Sequence, residues 1–426
     1  MKYNLFNNKR EIKNNNFSNN LFLFKPAFKF FLLFPSYRVM KMKYIDKIYI
    51  SNQAAGQKYT RLILKEYPDA DREIISPAEF DKISSMELDP KRTLYLTTSQ
   101  GDVIKGCPGT DKSYLCCRYQ VINHTQNCPL NCSYCILQYY LNQPATVIYT
   151  DFARIFSELE RKLNQQPHRF FRLGTGELGD SMALPGSRLF AGELTKRFSG
   201  RKNLLLEFKS KVNDIDNFLN IKREGPVVLA WSVNPSEIIE KEESMAADLE
   251  ERLKSAARAQ KAGFLLAFHF DPILEWDNWE ELYPQVVEKI YSYVNPARIA
   301  WISLGSLRFP PETKHRVAEK YPHSNIIYSE MITGHDGKMR YIRPLRVPIY
   351  KKIYKSLTAV KNPPFIYFCM ENATVWKEVM GFAPESNAHL DYMFAKSLYE
   401  HFEKVVPEEP QLKHYINAPN LDGQEF

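Results

Sequence analysis

The stretch Asn127–Tyr140 reads NCPLNCSYCILQYY and sets Cys128, Cys132 and Cys135 within eight residues of a 426-residue chain that holds seven cysteines. The spacing is C-x3-C-x2-C on a loop that carries Pro129 and follows RYQVINH, an apolar run that reads as a strand. Thiolates are soft ligands suited to zinc or to iron–sulfur centres. A structural zinc shell wants a fourth Cys or His at related spacing, and no C-x2-C pair follows. Three thiolates on a short loop can instead hold three irons of a [4Fe–4S] cluster, leaving the fourth iron open to a small molecule.

Outward from this loop the chain alternates between two periods. Short apolar runs (RYQVINH, RFFRLGTGE, NLLLEFKSK, PVVLAWSVN, GFLLAFHFD, RIAWISLGS) are separated by helical patterns such as SRLFAGELTKRF, VNDIDNFL, the long stretch 235–263 and NWEELYPQVVEKIYSYV. Strand alternating with helix implies βαβ units and a parallel sheet. Six such strands predict an α/β fold, a partial (β/α)6 TIM-type barrel whose chemistry sits at the strands' C-terminal ends. The polar clusters fall there: the cysteine loop, GTGE at 174–177, KSK at 209–211, SVN at 232–234, HFD at 269–271 and the segment to Arg308. The expected organisation is an extension at 1–42, a small α/β region at 43–115, the barrel at 116–335 and a basic, aromatic C-terminal extension at 336–426.

The net charge of +8 is concentrated at the start, where eight Lys/Arg through Met42 face only Glu11. That leaves about +1 for the rest, so overall charge does not argue for nucleic acid. LFLFKPAFKFFLLFP at 21–35 is interrupted by Lys25, Pro26 and Lys29, too short an apolar run for a membrane span. No small-residue cleavage site follows it, so it reads as a disordered extension or a start codon placed too early. Seven scattered cysteines do not resemble a disulfide framework, and a reducing cytoplasm fits them better.

The cysteine loop after the first barrel strand, with Tyr134 just before its last cysteine, resembles the signature of the radical S-adenosylmethionine enzymes. The resemblance implies a [4Fe–4S] cluster on Cys128, Cys132 and Cys135 that binds S-adenosylmethionine and cleaves it to a 5′-deoxyadenosyl radical. It implies cofactor contacts from Gly174, Thr175, Gly176 and Glu177, whose carboxylate would accept from an ammonium. Ser232 and Asn234 resemble the superfamily's contacts to ribose and carboxylate; either could also cap the helix that begins near Pro235. Within the superfamily, NCPLNCSYCILQYYL, RFFRLGTGELGDS, LEFKSKVND, AWSVNP and SLRF resemble the spore photoproduct lyase family, over roughly residues 105–345. That resemblance implies repair of UV-fused thymine dimers in DNA, a reducing partner of flavodoxin or ferredoxin type, and basic residues (Lys209 or Lys211, and Arg308) near cofactor or substrate phosphate.

Two departures stand out. The family's tyrosine after the third cluster cysteine is Ile136 here, and Gly174 or Thr175 stands where its hydrogen-donating cysteine is expected. Cys107, Cys116 and Cys117 are the candidate replacements, with a structural role or a second metal as alternatives; extended backbone would point adjacent Cys116 and Cys117 to opposite sides. Cys369, in FIYFCMEN, reads as a buried small hydrophobe. Lys338 to Lys355 holds seven Lys/Arg and no acid, with Tyr341, Tyr350 and Tyr354 between them. Basic residues interleaved with aromatics suit phosphate neutralisation and base stacking, which makes Lys338, Arg340, Arg343 and Arg346 candidate DNA contacts, or else a solvated face. The alternatives to a DNA-repair lyase are a radical enzyme with another substrate and a nucleic-acid-binding protein whose cluster is structural or redox-sensing.

Overall fold

The computed structural model describes residues 45–83, 88–109, 112–141 and 143–424; the expected extension at 1–42 lies outside the described residues. Near the start, Lys47–Ser51 and Thr93–Thr97 are buried almost throughout, as apolar runs in the middle of a parallel sheet must be. Asp71–Ile75 forms its exposed edge. The fourth parallel strand, Thr146–Tyr149, comes from beyond the cysteine loop, and Thr125–Gln126 pairs antiparallel on its far side. The loop is therefore held between two paired strands of this sheet.

The second sheet has eight strands. Seven run parallel in chain order: Gln120–Ile122, Phe171–Gly174, Leu204–Ser210, Val227–Ser232, Leu265–Ile273, Ile299–Ser306 and Phe365–Phe368. Ile104–Gly106 adds an antiparallel edge beside Gln120–Ile122. The first six are the runs read from the sequence. The seventh comes from the stretch assigned to the C-terminal extension, where FIYF reads as an apolar strand outside the six counted for the barrel.

The two edges of this sheet meet. Leu115 and Glu371 form an isolated bridge, with Leu115 N–H donating to Glu371 O at 2.9 Å, which joins the segment before the first parallel strand to the segment after the last. The C-terminal segment packs over the same seam: Arg118 donates to Tyr415 O at 2.8 Å and Gln120 Nε2 to Asn420 Oδ1 at 2.8 Å.

The helical pattern at 235–263 is broken in the structure. Ser236–Glu242 ends where Glu243–Ser244 pairs antiparallel with Asn131–Cys132, and a new helix, Leu249–Lys261, starts at Asp248 with a capping box to Glu251. The break gives up a turn of helix, and the backbone it frees clamps the cysteine loop.

Candidate active site

The cysteine loop is fixed from several sides before any ligand arrives. Asn127 adopts a left-handed φ of 76° and its Oδ1 accepts from Cys128 N–H at 2.8 Å. Lys91 Nζ donates to the carbonyls of Cys128 and, at 2.8 Å, Leu130. Gln138 Nε2 donates to Cys132 O at 2.8 Å, and Ser133 N–H to Glu242 O at 2.9 Å. Behind the loop lies a buried network: Glu243 accepts from Tyr134 hydroxyl at 2.5 Å, from Asn234 Nδ2 at 3.2 Å and from Arg252 at 2.5 Å. Burial alone would raise the Glu243 carboxyl, but Arg252 and Lys211, with the Tyr134 bond, hold it below its ordinary value.

All three loop cysteines open onto one cavity of about 530 Å³ at the C-terminal ends of the parallel strands. Burial pushes the Cys128 thiol up to about 12, with Asp180 adding to it and Lys91 opposing, and burial likewise raises Cys132. A thiolate in such a place needs a strong positive group beside it, which a metal centre provides. Among the described residues no three Cys, His, Asp or Glu side chains converge on a single-ion position. A cubane, in which each thiolate takes its own iron, asks for no such convergence, so the donor set fits a [4Fe–4S] cluster.

Gly176, Glu177, Lys211, Ser232 and Arg308 line the same cavity, together with Cys107, Cys117 and Lys338. Glu177 forms an ion pair with Lys209 at 3.5 Å, and Arg308 with Asp271 at 3.3 Å. At the floor, His269 bonds Glu207 Oε1 and Ser303 Oγ, each at 2.7 Å, while Tyr119 hydroxyl also bonds Glu207. Burial would raise Glu207, yet His269, Tyr119 and Lys209 together bring it down to about 2.

Several of the residues expected at the site lie outside the cavity wall. Gly174 and Thr175 sit below the cavity rather than in its wall: the Tyr119 hydroxyl fills the space where a Cβ on Gly174 would stand, and Thr175 Oγ1 donates to Ser181 Oγ at 2.9 Å. Asn234, 1% exposed, is hydrogen-bonded to Glu243 and to the Tyr283 hydroxyl and does not line the cavity. Cys116 is buried against Tyr114 and Met370, off the cavity.

Two of the arginines of the basic stretch are buried in ion pairs, while Arg343, Lys351, Lys352 and Lys355 are exposed. Arg340 is buried, paired with Asp336 at 2.8 Å and stacked over Tyr114. Arg346 is buried and paired with Glu371 at 2.8 Å, and it also donates to Tyr341 O. Arg343 is exposed but ion-paired with Glu378. Counting charges along the sequence could not reveal this, because the acids that neutralise them are up to 35 residues away. Sequence reading missed Cys369, which lines the cavity and accepts from Arg308 at 3.1 Å, and Tyr119 and Tyr367, which also line it.

Comparison with known proteins agrees with this geometry. A family model described as spore photoproduct lyase matches residues 44–360. The chain is similar to the spore photoproduct lyases of Bacillus subtilis, 23% identical over 206 residues, and of a Geobacillus species, 21% identical over 206 residues. These matches cover 48% of this chain, and the chain spans 60% of the length of each relative. Among solved structures, a spore photoproduct lyase complexed with dinucleoside spore photoproduct matches with a TM-score of 0.67 at 16% identity, over 77% of this chain and 100% of that one. A doubly substituted spore photoproduct lyase with bound AdoMet and dinucleoside spore photoproduct matches at a TM-score of 0.64, over 76% of this chain and 99% of that one. With the family model covering well over half of its length, the chain belongs to the spore photoproduct lyase family.

Proposed function

We propose that this protein is a radical S-adenosylmethionine enzyme that repairs UV-fused thymine pairs in DNA. The carrying observation is the single cavity in which the three loop cysteines face the polar strand ends. When bound there, the cluster and S-adenosylmethionine would supply the 5′-deoxyadenosyl radical that takes a hydrogen from C6 of the fused dimer. The chain's own residues do the rest. Glu177 accepts from the methionine ammonium, Ser232 offers a hydroxyl, and Tyr134 and Leu137 shield the site from water. Arg308 and Lys338, which line the same cavity beside Asp271 and Asp336, would meet the phosphate between the two thymidines. Membership of the family and the substrate named for its solved relatives support this reading. Among the described residues no helix is long and apolar enough to cross a membrane.

Ile136, and Gly174 or Thr175, stand where the family's donor pair is expected, so on this reading hydrogen returns to the product from another S–H or O–H group. Those lining the cavity include Cys107, Cys117, Cys369, Tyr119 and Tyr367. A flavodoxin- or ferredoxin-type protein in the cytoplasm is the proposed reductant. The test is anaerobic reconstitution followed by dithionite, S-adenosylmethionine and DNA carrying spore photoproduct. Joint release of 5′-deoxyadenosine and thymine supports repair. Cleavage of S-adenosylmethionine without thymine moves the substrate elsewhere, and no cleavage at all removes the radical assignment.

A further inference from the structure

Neither residue at the place of the expected donor cysteine offers a hydrogen to the cavity. Gly174 has no side chain, and Thr175 is 2% exposed with its hydroxyl bonded to Ser181. The space above Gly174 is filled instead from the neighbouring strand. Tyr119 directly precedes Gln120–Ile122, which pairs with Phe171–Gly174, and its hydroxyl oxygen occupies the place where a Cβ on Gly174 would stand. The atoms nearest that place belong to the Tyr119 ring end and to the Glu207 backbone. A side chain at 174 would push the phenol aside, so glycine at one position and tyrosine at the other go together. Tyr119 is partly exposed, and what it meets is the cavity that the three loop cysteines also line.

The phenol is set on a polar floor. Its hydroxyl donates to the Glu207 carboxylate, which also accepts from Trp301 Nε1 at 3.2 Å and bonds His269 Nε2 at 2.7 Å. Burial, and then Glu207, push the Tyr119 phenol well up, so it keeps its hydrogen at neutral pH. Because Glu207 has two other partners, the O–H can turn toward the cavity without leaving a bare buried carboxylate behind.

We infer that Tyr119 is the residue that returns a hydrogen atom to the product radical. The inference rests on the lyase reading and names the donor that reading leaves open. The O–H bond of Tyr119 breaks, a C–H bond forms on the thymine carbon, and a phenoxyl radical remains on the protein. One electron from the low-potential one-electron carrier and one proton from water then restore the phenol. Each repair therefore takes two electrons, one to cleave S-adenosylmethionine and one to reduce the phenoxyl. Of the other cavity hydrogens, the Cys369 sulfur is engaged by Arg308 at 3.1 Å.

The test uses the full chain, reconstituted anaerobically and given dithionite, S-adenosylmethionine and DNA carrying spore photoproduct. Tyr119→Phe should keep its iron and still form 5′-deoxyadenosine, but restored thymine should be lost. The double variant Tyr119→Ala with Gly174→Cys places a thiol in the vacated space and should bring thymine back, which a merely structural role for the phenol would not do. Freeze-quenched wild type should show a tyrosyl signal by electron paramagnetic resonance that needs the damaged DNA and narrows when the chain carries ring-deuterated tyrosine. Thymine from Tyr119→Phe at the wild-type rate, or a tyrosyl signal that persists in that variant, overturns the inference and leaves the lyase reading standing. If Tyr119→Phe does not fold, the wild-type spectrum decides, and a thiyl signal or none overturns the inference. Wild type that forms 5′-deoxyadenosine without thymine overturns the lyase reading and this donor together.

Discussion

Arg252 and Glu243 form an ion pair 2.5 Å apart, and both side chains are completely buried. Glu243 belongs to the two residues that pair with Asn131–Cys132, so this pair fixes the strand that clamps the cysteine loop. Removing one partner strands a charge in the core. Arg252→Ala should lower stability by about 3–5 kcal/mol in urea denaturation, and iron uptake by the triplet should fall with it. The double variant Arg252→Met with Glu243→Gln should recover much of that loss, whereas an equal or larger loss would show that the charges themselves are needed.

The Glu207–His269 pair makes an acid-side prediction. The Glu207 carboxyl is held at about 2 against its ordinary 4.5, so its contribution is complete above 4.5 and disappears as the pH falls through 2. Wild type should lose on the order of 3 kcal/mol more than Glu207→Gln between those limits. Parallel unfolding curves for the two proteins over that range would remove the pair as a source of stability.

Gly174 is required by contact, not by backbone conformation. A methyl group there meets the Tyr119 hydroxyl and Cζ, with Glu207 O at 3.0 Å behind them. Gly174→Ala should cost about 1–3 kcal/mol. In a Tyr119→Leu background the cost should shrink, and an undiminished cost in a double-mutant cycle would place the strain elsewhere.

The basic stretch separates stability from DNA affinity. Arg346→Ala leaves Glu371 buried without its ion pair and should destabilise by about 3–5 kcal/mol. Arg343→Ala breaks an exposed pair with Glu378 and should change stability by less than about 1 kcal/mol. Neither should change the salt slope of DNA binding, but Lys338→Ala, in the cavity wall, should reduce it by about one unit. A slope that falls for Arg343→Ala and not for Lys338→Ala would restore the helix as the DNA face.

For the cofactor, Glu177→Gln removes a charge-assisted acceptor and should weaken S-adenosylmethionine about 10- to 100-fold by calorimetry on the reconstituted protein. Unchanged affinity would mean that Lys209, 3.5 Å away, keeps this carboxylate for itself.

What could be read in the sequence was local. Cys128, Cys132 and Cys135 carry their meaning in their spacing, and runs such as Leu204–Ser210 and Val227–Ser232 are largely apolar because parallel strands are buried on both faces. What could not be read depends on partners distant in the chain. The 235–263 pattern is helical on its own, and only Asn131 and Cys132, more than a hundred residues earlier, explain why it stops at Glu243. Arg346 looks like part of a nucleic-acid grip until Glu371, 25 residues on, is seen beside it. Cys369 looks like core until the seam brings it to the cavity.

The seam also has a consequence for the order of events in synthesis. The bridge from Leu115 to Glu371 and the bond from Gln120 to Asn420, 300 residues apart, join the beginning of the barrel to segments made last. Long-range pairings of this kind form late, since each pays the closure entropy of the whole intervening chain. While the ribosome is still at work, the cysteine loop, already emerged, has one wall of its cavity missing. That wall, with Tyr367, Cys369 and Met370, is complete only once Phe365–Phe368 has paired with Ile299–Ser306.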